Sequence, residues 1–351
     1  MLTSVRTIAC VKLCIAKQFK SVYNGIRKYL LCKDEKHMRV VILDRDAMGW
    51  DISFSVLSHL GHIISYGRTA PDELAERIEY ADIVIVNKVR IDRSAIEHAK
   101  NLRLICEFAT GYDNIDIVAA KERGIAVCNV PGYSTESVVL FTVTTVLSLV
   151  THIREYIGFV RDGGYTSSGV ATSFAPAFHE LSGMTWGIIG YGNIGSRVGA
   201  VARALGAQVI VNRRTPTGDS FVTIDELCRR SDIITVHCPL NDETRGIIDY
   251  ERISTMKDSV ILVNEARGAV LDEQAVAEAV LSGKIAGFGC DVYSEEPLGA
   301  SHPYYAIKNR ENVILTPHAA WGAVEARKRC ISIIDENIRS YLSGVSYNRI
   351  V

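Results

Sequence analysis

The 351-residue sequence predicts an α/β fold with two Rossmann-like, parallel-sheet domains. Three observations carry this. Short runs of β-branched and apolar residues recur without polar alternation, the pattern of strands covered on both faces. Amphipathic, helix-length segments separate them. A glycine-rich turn, Gly190-Tyr191-Gly192-Asn193-Ile194-Gly195, opens the second series directly after an apolar run. A composition of 48% hydrophobic and 23% charged residues with net charge −1 describes a globular chain. It has no global field to recruit nucleic acid or an acidic membrane.

The first 37 residues stand apart, with eight Lys and Arg against only Asp34 and Glu35. An acid-poor basic leader fits an organelle transit segment. The alternative is sequence ahead of a true start at Met38, favoured because a buried strand, Arg39–Asp44, begins at once. The first series then places strands at Val40–Leu43, Ile63–Ser65, Ile83–Val86, Leu104–Phe108 and Ile125–Asn129. Helices are expected at Ile52–Leu60, Asp72–Ile78, Arg93–Ala99 and Asp116–Arg123. A long helix from Ser137 to about Ile157 and a loose Gly/Ser/Thr stretch, Gly163–Ser173, lead into the second series. Its six strands lie in WGIIG, QVIVN, DIITVHC, VILVN, IAGFGCDV and NVILTP, a complete dinucleotide-binding sheet. A closing amphipathic helix is expected over Val324–Leu342.

The longest apolar run, Val138–Val150, is too short to span a bilayer and three threonines interrupt it. Nine cysteines, odd in number and without zinc-type spacing, point to buried reduced thiols, a cytoplasmic compartment and no metal site.

The glycine turn has the context that gives such a motif meaning. Gly190 permits a tight turn, Gly192 admits a pyrophosphate close to the backbone, and Gly195 lets helix pack on strand. The next strand ends in Asn212-Arg213-Arg214-Thr215, where an NAD site calls for a carboxylate to meet the ribose hydroxyls. Two guanidiniums and no acid suit a 2′-phosphate instead, so NADP is favoured over NAD.

Three segments follow later strands of the same sheet: Asn264-Glu265-Ala266-Arg267-Gly268, Asp291 to Glu296-Pro297, and Pro317-His318-Ala319-Ala320-Trp321. Reduction of a ketone needs a proton donor that works near neutrality, which is the range of His. It needs a cation to hold a substrate carboxylate and polarise the carbonyl, which Arg does with two donors. A carboxylate that fixes the His tautomer completes the set. Arg267, Glu296 and His318 are those types. Each alone could be an ordinary solvated group; their ordered recurrence after successive strands favours chemistry.

These motifs, with His237-Cys238-Pro239-Leu240, resemble those of the D-isomer-specific 2-hydroxyacid dehydrogenases, closest to the glycerate dehydrogenase/hydroxypyruvate reductase branch. The resemblance runs from about Met38 to the C-terminus. It implies reduction of a small 2-keto acid such as hydroxypyruvate or glyoxylate, with Arg267 on substrate and His318 as general acid paired with Glu296. It places Asp291 at the nicotinamide end, and His237, Cys238 and Pro239 beneath the cofactor. Thr110 and Gly111, in Ala109–Asp113, would cradle the substrate carboxylate, and Trp321 would wall its pocket. It further implies a flavodoxin-like substrate domain of residues 38–137 and 319–351, a dinucleotide-binding domain of 138–318 inserted into it, and a homodimer formed around the Ser137–Ile157 helix. Two departures are visible: Arg213 replaces the usual acid, and Glu265 stands where a small hydroxyl residue is more common. The alternative function is a dinucleotide-sensing, corepressor-like binding protein of the same fold. Formate dehydrogenase is disfavoured, since that relative carries Gln where this chain has Glu296.

Overall fold

The computed structural model describes residues 38–215 and 220–351; the basic leader expected over residues 1–37 lies outside the described residues. The chain divides into two compact units, the first running to Tyr133 and resuming at Arg327–Val351, the second comprising Ser134–Ala326.

In the first unit five parallel strands, β1 (Arg39–Ile42), β2 (His62–Ser65), β3 (Ile83–Val86), β4 (Leu104–Glu107) and β5 (Ala126–Cys128), lie in the order β2-β1-β3-β4-β5. This is the flavodoxin order, and β3 and β4 are buried along their whole length, as their unbroken apolar runs require. Helices α1 (Pro71–Ile78), α2 (Arg93–His98) and α3 (Ile117–Glu122) cover the sheet. Asp92 and Asp116 cap the last two by accepting from the Ala95 and Ala119 amides. Val41, Val84, Ile105 and Val127 pack against Ile78, Ile96 and Ala119 as the core of one face. The helix expected over Ile52–Leu60 is only one 3-10 turn, Ser55–Leu57. There Ser53 Oγ accepts from the Ser55 amide, a local bond that competes with helix propagation.

The second unit holds six parallel strands, β6 (Thr185–Ile189), β7 (Gln208–Asn212), β8 (Ile233–Val236), β9 (Val260–Asn264), β10 (Ile285–Cys290) and β11 (Val313–Leu315), ordered β11-β10-β9-β8-β6-β7. A lone parallel bridge, Val211 to Phe221, adds a further stub beyond β7. Strand order therefore reverses between β6 and β8, the switch point at which such sheets bind dinucleotides.

The long helix expected from Ser137 is two: α4 (Thr135–Val150) and α5 (Ile153–Arg161), bent by 64° at the break. Thr151 turns its hydroxyl onto Leu147 O and His152 adopts φ 51°, so the ladder cannot continue. The stretch expected to be loose contains a short helix, α6 (Gly164–Ser168). Helices α7 (Asn193–Ala204), α8 (Ile224–Arg230), α9 (Tyr250–Thr255) and α10 (Glu273–Ser282) follow, and α11 (Val324–Leu342) closes the chain as expected. One core packs Leu227, Val276 and Phe288, the other Val146, Trp186 and Val198. Residues 319–326 fall in this unit and not with the first, because Ser137 Oγ donates to Ala320 O and accepts from the Ala323 amide.

Among the described residues no single helix is long and apolar enough to cross a membrane, and no cluster of His, Cys, Asp and Glu could hold a metal. Six cysteines there are free and buried.

Candidate active site

The site is built on the carboxyl edge of the second unit's sheet. β6 ends at Gly190, whose φ of +88° suits glycine and whose absent side chain would fall 2.5 Å from the Cys238 amide nitrogen. A Cβ on Gly195 would collide with Gly190 O, whereas Gly192 faces open space. The strand-to-helix turn is thus closed below and open above. It leads into α7, whose first turn, Asn193-Ile194-Gly195-Ser196, has no acidic residue to oppose an anion.

A cavity of about 560 Å³ joins this loop to Asn212, Arg213, Arg214, His237, Cys238 and Pro239. Its lining holds most of the residues expected to bind a dinucleotide, though not Asn193, Ile194, Gly195 or Asp291, and a cradle closed to Cβ atoms with open space at Gly192 fits such a group. Asn212 lines the cavity while its Nδ2 donates to Val222 O, tying the β7 tip to the chain itself. Arg213 and Arg214 are exposed, the former with its guanidinium carbon 5.9 Å from the Phe221 ring centroid. Both His237 ring nitrogens are buried without a hydrogen-bond partner, and burial pushes the imidazole down to about 3. A ring neutral at ordinary pH is no proton donor, in keeping with its exclusion as the acid.

The turn after β9 carries Arg267. Asn264, fully buried, accepts from the Ala266 amide through Oδ1 and donates to Arg267 O through Nδ2, clamping the turn at both ends. Gly268 then passes so close to Tyr293 and Ser294 that no side chain fits.

His318 and Glu296 meet as expected, Nδ1 lying 2.8 and 2.9 Å from the two carboxylate oxygens. That contact fixes Nδ1 as the protonated nitrogen of the neutral ring and assigns proton exchange to Nε2. His318 sits at φ 53°, an uncommon conformation for a non-glycine residue. Asp291 sustains it. One oxygen accepts from Thr316 Oγ1 at 2.6 Å and the Ala319 amide at 2.8 Å, the other from the Ala320 amide at 2.8 Å. Asp291 is only 1% exposed, and these three bonds make it the support of the His318 turn. Tyr293 adds a bond from its hydroxyl to Thr316 O. Sequence reasoning missed Asn264 and Tyr293 as supports, although the Asn-x-x-Arg-Gly spacing contained the first.

Trp321 is half-buried three residues after His318. Thr110 and Gly111 belong to the first unit, beyond the carboxyl end of β4, where Thr110 Oγ1 donates to Val130 O.

Comparison with known proteins agrees with this geometry. Residues 143–320 match the family described as "D-isomer specific 2-hydroxyacid dehydrogenase, NAD binding domain". A hydroxypyruvate reductase of Blautia hydrogenotrophica is 38% identical over 89% of this chain and 99% of its own. A glycerate dehydrogenase of Methylorubrum extorquens is 33% identical over 87% of this chain and 98% of its own. Among solved structures, an acyclic imino acid reductase in complex with NADPH and D-Arg superposes with a TM-score of 0.79 at 28% identity, covering 90% of this chain and all of that one. Glycine loop, arginine turn and His–Glu pair on one sheet edge, with relatives matched along almost their full length, place this chain in the D-isomer-specific 2-hydroxyacid dehydrogenase family, oxidoreductases that use a nicotinamide dinucleotide.

Proposed function

We propose that the protein reduces small 2-keto acids such as hydroxypyruvate and glyoxylate to D-2-hydroxy acids, with NADPH as the preferred reductant. The observation that carries the reading is the His318–Glu296 pair, held by Asp291 on the sheet edge that bears the glycine loop. When bound, the dinucleotide supplies the hydride. Arg267 holds the substrate carboxylate and polarises the keto group. His318 delivers the proton from Nε2 to the forming alkoxide, and Glu296 stabilises the imidazolium from Nδ1. Thr110 and Gly111 offer backbone amides to the carboxylate, and Trp321 limits the length of the acid.

The cofactor preference rests on the β7 tip, which brings two exposed arginines and no acid of its own to the dinucleotide cavity; the one acid in the cavity lining, Glu243, comes from the segment after β8. The imino acid reductase supports it as a protein of similar structure in complex with NADPH. A charge-assisted Arg–phosphate contact corresponds to roughly ten- to a hundredfold in affinity. Fluorescence titration should show tighter NADPH than NADH binding, and Arg213→Asp should reverse the order. Equal affinities in the wild type would end the NADP assignment. A panel of 2-keto acids assayed with each cofactor by loss of nicotinamide absorbance tests the reaction itself; no turnover with any of them would overturn it.

A further inference from the structure

The chain that carries Glu296 has little structure of its own. Residues 291–302 form neither helix nor strand, and Ser294, Glu295, Glu296 and Pro297 are all exposed. The Glu296 carboxylate nevertheless has to meet His318 Nδ1, so a group outside this segment must fix where it lies.

Glu273 is placed to do so. It opens α10, six positions after Arg267, where Asp272 caps the helix by accepting from the Ala275 amide. Glu273 Oε1 accepts from the Ser294 amide at 2.9 Å. Its Oε2 accepts from the Ser294 hydroxyl and from His302 Nε2, the latter at 2.9 Å. One carboxylate thus clasps the segment two residues before Glu296 and again six residues after it. His302 Nδ1 accepts from the Tyr304 amide at 3.2 Å, which leaves Nε2 as the nitrogen that donates to Glu273. The His302 and Glu273 side chains are only 4% and 9% exposed, so the contact is kept from solvent, unlike a surface ion pair.

From this clasp two paths reach the acid pair through Tyr293. The His302 ring stands edge-on to the Tyr293 ring, with centroids 5.8 Å apart at 84°. The Tyr293 amide donates to Glu296 Oε1 at 3.2 Å, and its hydroxyl to Thr316 O at 2.8 Å, two residues before His318. We propose that Glu273, with Ser294 and His302 as its partners, is a positioning residue of the reaction. It acts through Glu296, setting that carboxylate against His318 and so tuning the imidazole as an acid. The inference rests on the His318–Glu296 reading above.

The test is the pH dependence of kcat/KM for keto-acid reduction at saturating dinucleotide. The acid must be protonated, so the rate falls as pH rises past the His318 pKa. Glu296 favours the imidazolium, and an enzyme that lacks this contact should lose its rate at lower pH. Glu273→Gln keeps the size of the side chain and breaks the clasp, because either rotamer sets its NH₂ against a donor, the Ser294 amide or His302 Nε2–H. The alkaline limb should move to lower pH by about half to one unit and kcat should fall about tenfold, with dinucleotide affinity changed less than about threefold. Ser294→Ala cuts one arm of the clasp and should move the limb the same way by less; it decides the matter if Glu273→Gln fails to fold. In a Glu296→Gln background the carboxylate is already gone, and Glu273→Gln should move the limb no further. A folded Glu273→Gln enzyme with the wild-type limb, or a shift that persists in full in the Glu296→Gln background, would overturn the proposal. A Glu296→Gln enzyme whose own limb stays in place would instead bring down the His318–Glu296 reading, and this inference with it.

Discussion

The chemistry rests on a few side chains whose surroundings can be tested one at a time. His318 lies 2.8 Å from Glu296 through Nδ1, and in the proposed reaction it gives up its proton at Nε2. His318→Gln is expected to lower turnover by about 10²–10⁴-fold while dinucleotide affinity holds, measured by steady-state kinetics and fluorescence titration. Near-normal turnover would remove His318 as the acid. A second buried acid offers a stability test in the first unit. Glu107 is fully buried at the end of β4, accepts from Asn114 Nδ2 at 3.0 Å through one oxygen, and has no partner on the other. Burial raises its pKa well above the usual value. The unfolded chain releases this proton near pH 4.5 and the folded chain does not, so folded Glu107 costs stability increasingly as pH rises above that point. Glu107→Gln keeps the Asn114 bond and removes the penalty. Denaturant unfolding should show little difference from wild type in acid and a stabilised variant at neutral pH, growing by about 1.4 kcal/mol per pH unit until the folded carboxyl ionises. A gap that does not change with pH would mean the carboxyl is already ionised.

At the scale of elements, the turn from β11 into α11 depends on Asp291 more than on its own residues. Both carboxylate oxygens accept from backbone amides, Ala319 on one and Ala320 on the other. Asparagine can supply only one acceptor there, and either rotamer sets its NH₂ against a backbone N–H. Asp291→Asn should therefore release the strained His318 turn and depress turnover severely, with dinucleotide affinity changed much less; nitrogen-15 NMR of a labelled His318 ring would show the altered Nδ1 contact. Loss of dinucleotide binding with turnover at saturating cofactor intact would put Asp291 on the cofactor instead. Most elements were legible in advance. β3 and α11 lie where apolar runs and amphipathic periodicity put them, because burial on both faces of a parallel sheet leaves no room for polar residues. The break at Thr151-His152 was not legible: Val138–Val150 and Ile153–Ile157 read as one apolar helix, and only the backbone turn at His152 divides them.

At the scale of the whole molecule, α5 has no buried residue, although Ile153, Ile157 and Val160 form a stripe at helical spacing. Phe178, in the following segment, packs its ring edge-on to Tyr156 of that helix, extending an apolar surface of the kind that marks an interface, and Phe174 in the same segment is 82% exposed. This supports the expected homodimer, with the interface centred on α5 and the segment after it. Sedimentation equilibrium should give twice the chain mass for the wild type, and Ile157→Asp with Phe174→Asp should give monomers. A wild-type monomer at assay concentration would refute the dimer.

By itself the sequence determined the two α/β series, the glycine turn, and the residues Arg267, Glu296 and His318, since each is written in local pattern: periodicity, glycine spacing, residue type after a strand. Only the tertiary structure decided what those residues lean on. Asp291 read as a cofactor ligand, and its hydrogen bonds to residues 25 to 29 positions away add the support of the His318 turn, which no local pattern announced. Asn212 read as part of the cofactor site, and only the fold showed that its amide also donates to Val222 O. Glu265 read as a departure at the edge of the site. Its burial beside Asp291 raises the carboxyl well above the ordinary range, and that depends on which charges and how much water surround it, neither of which is written in its own segment.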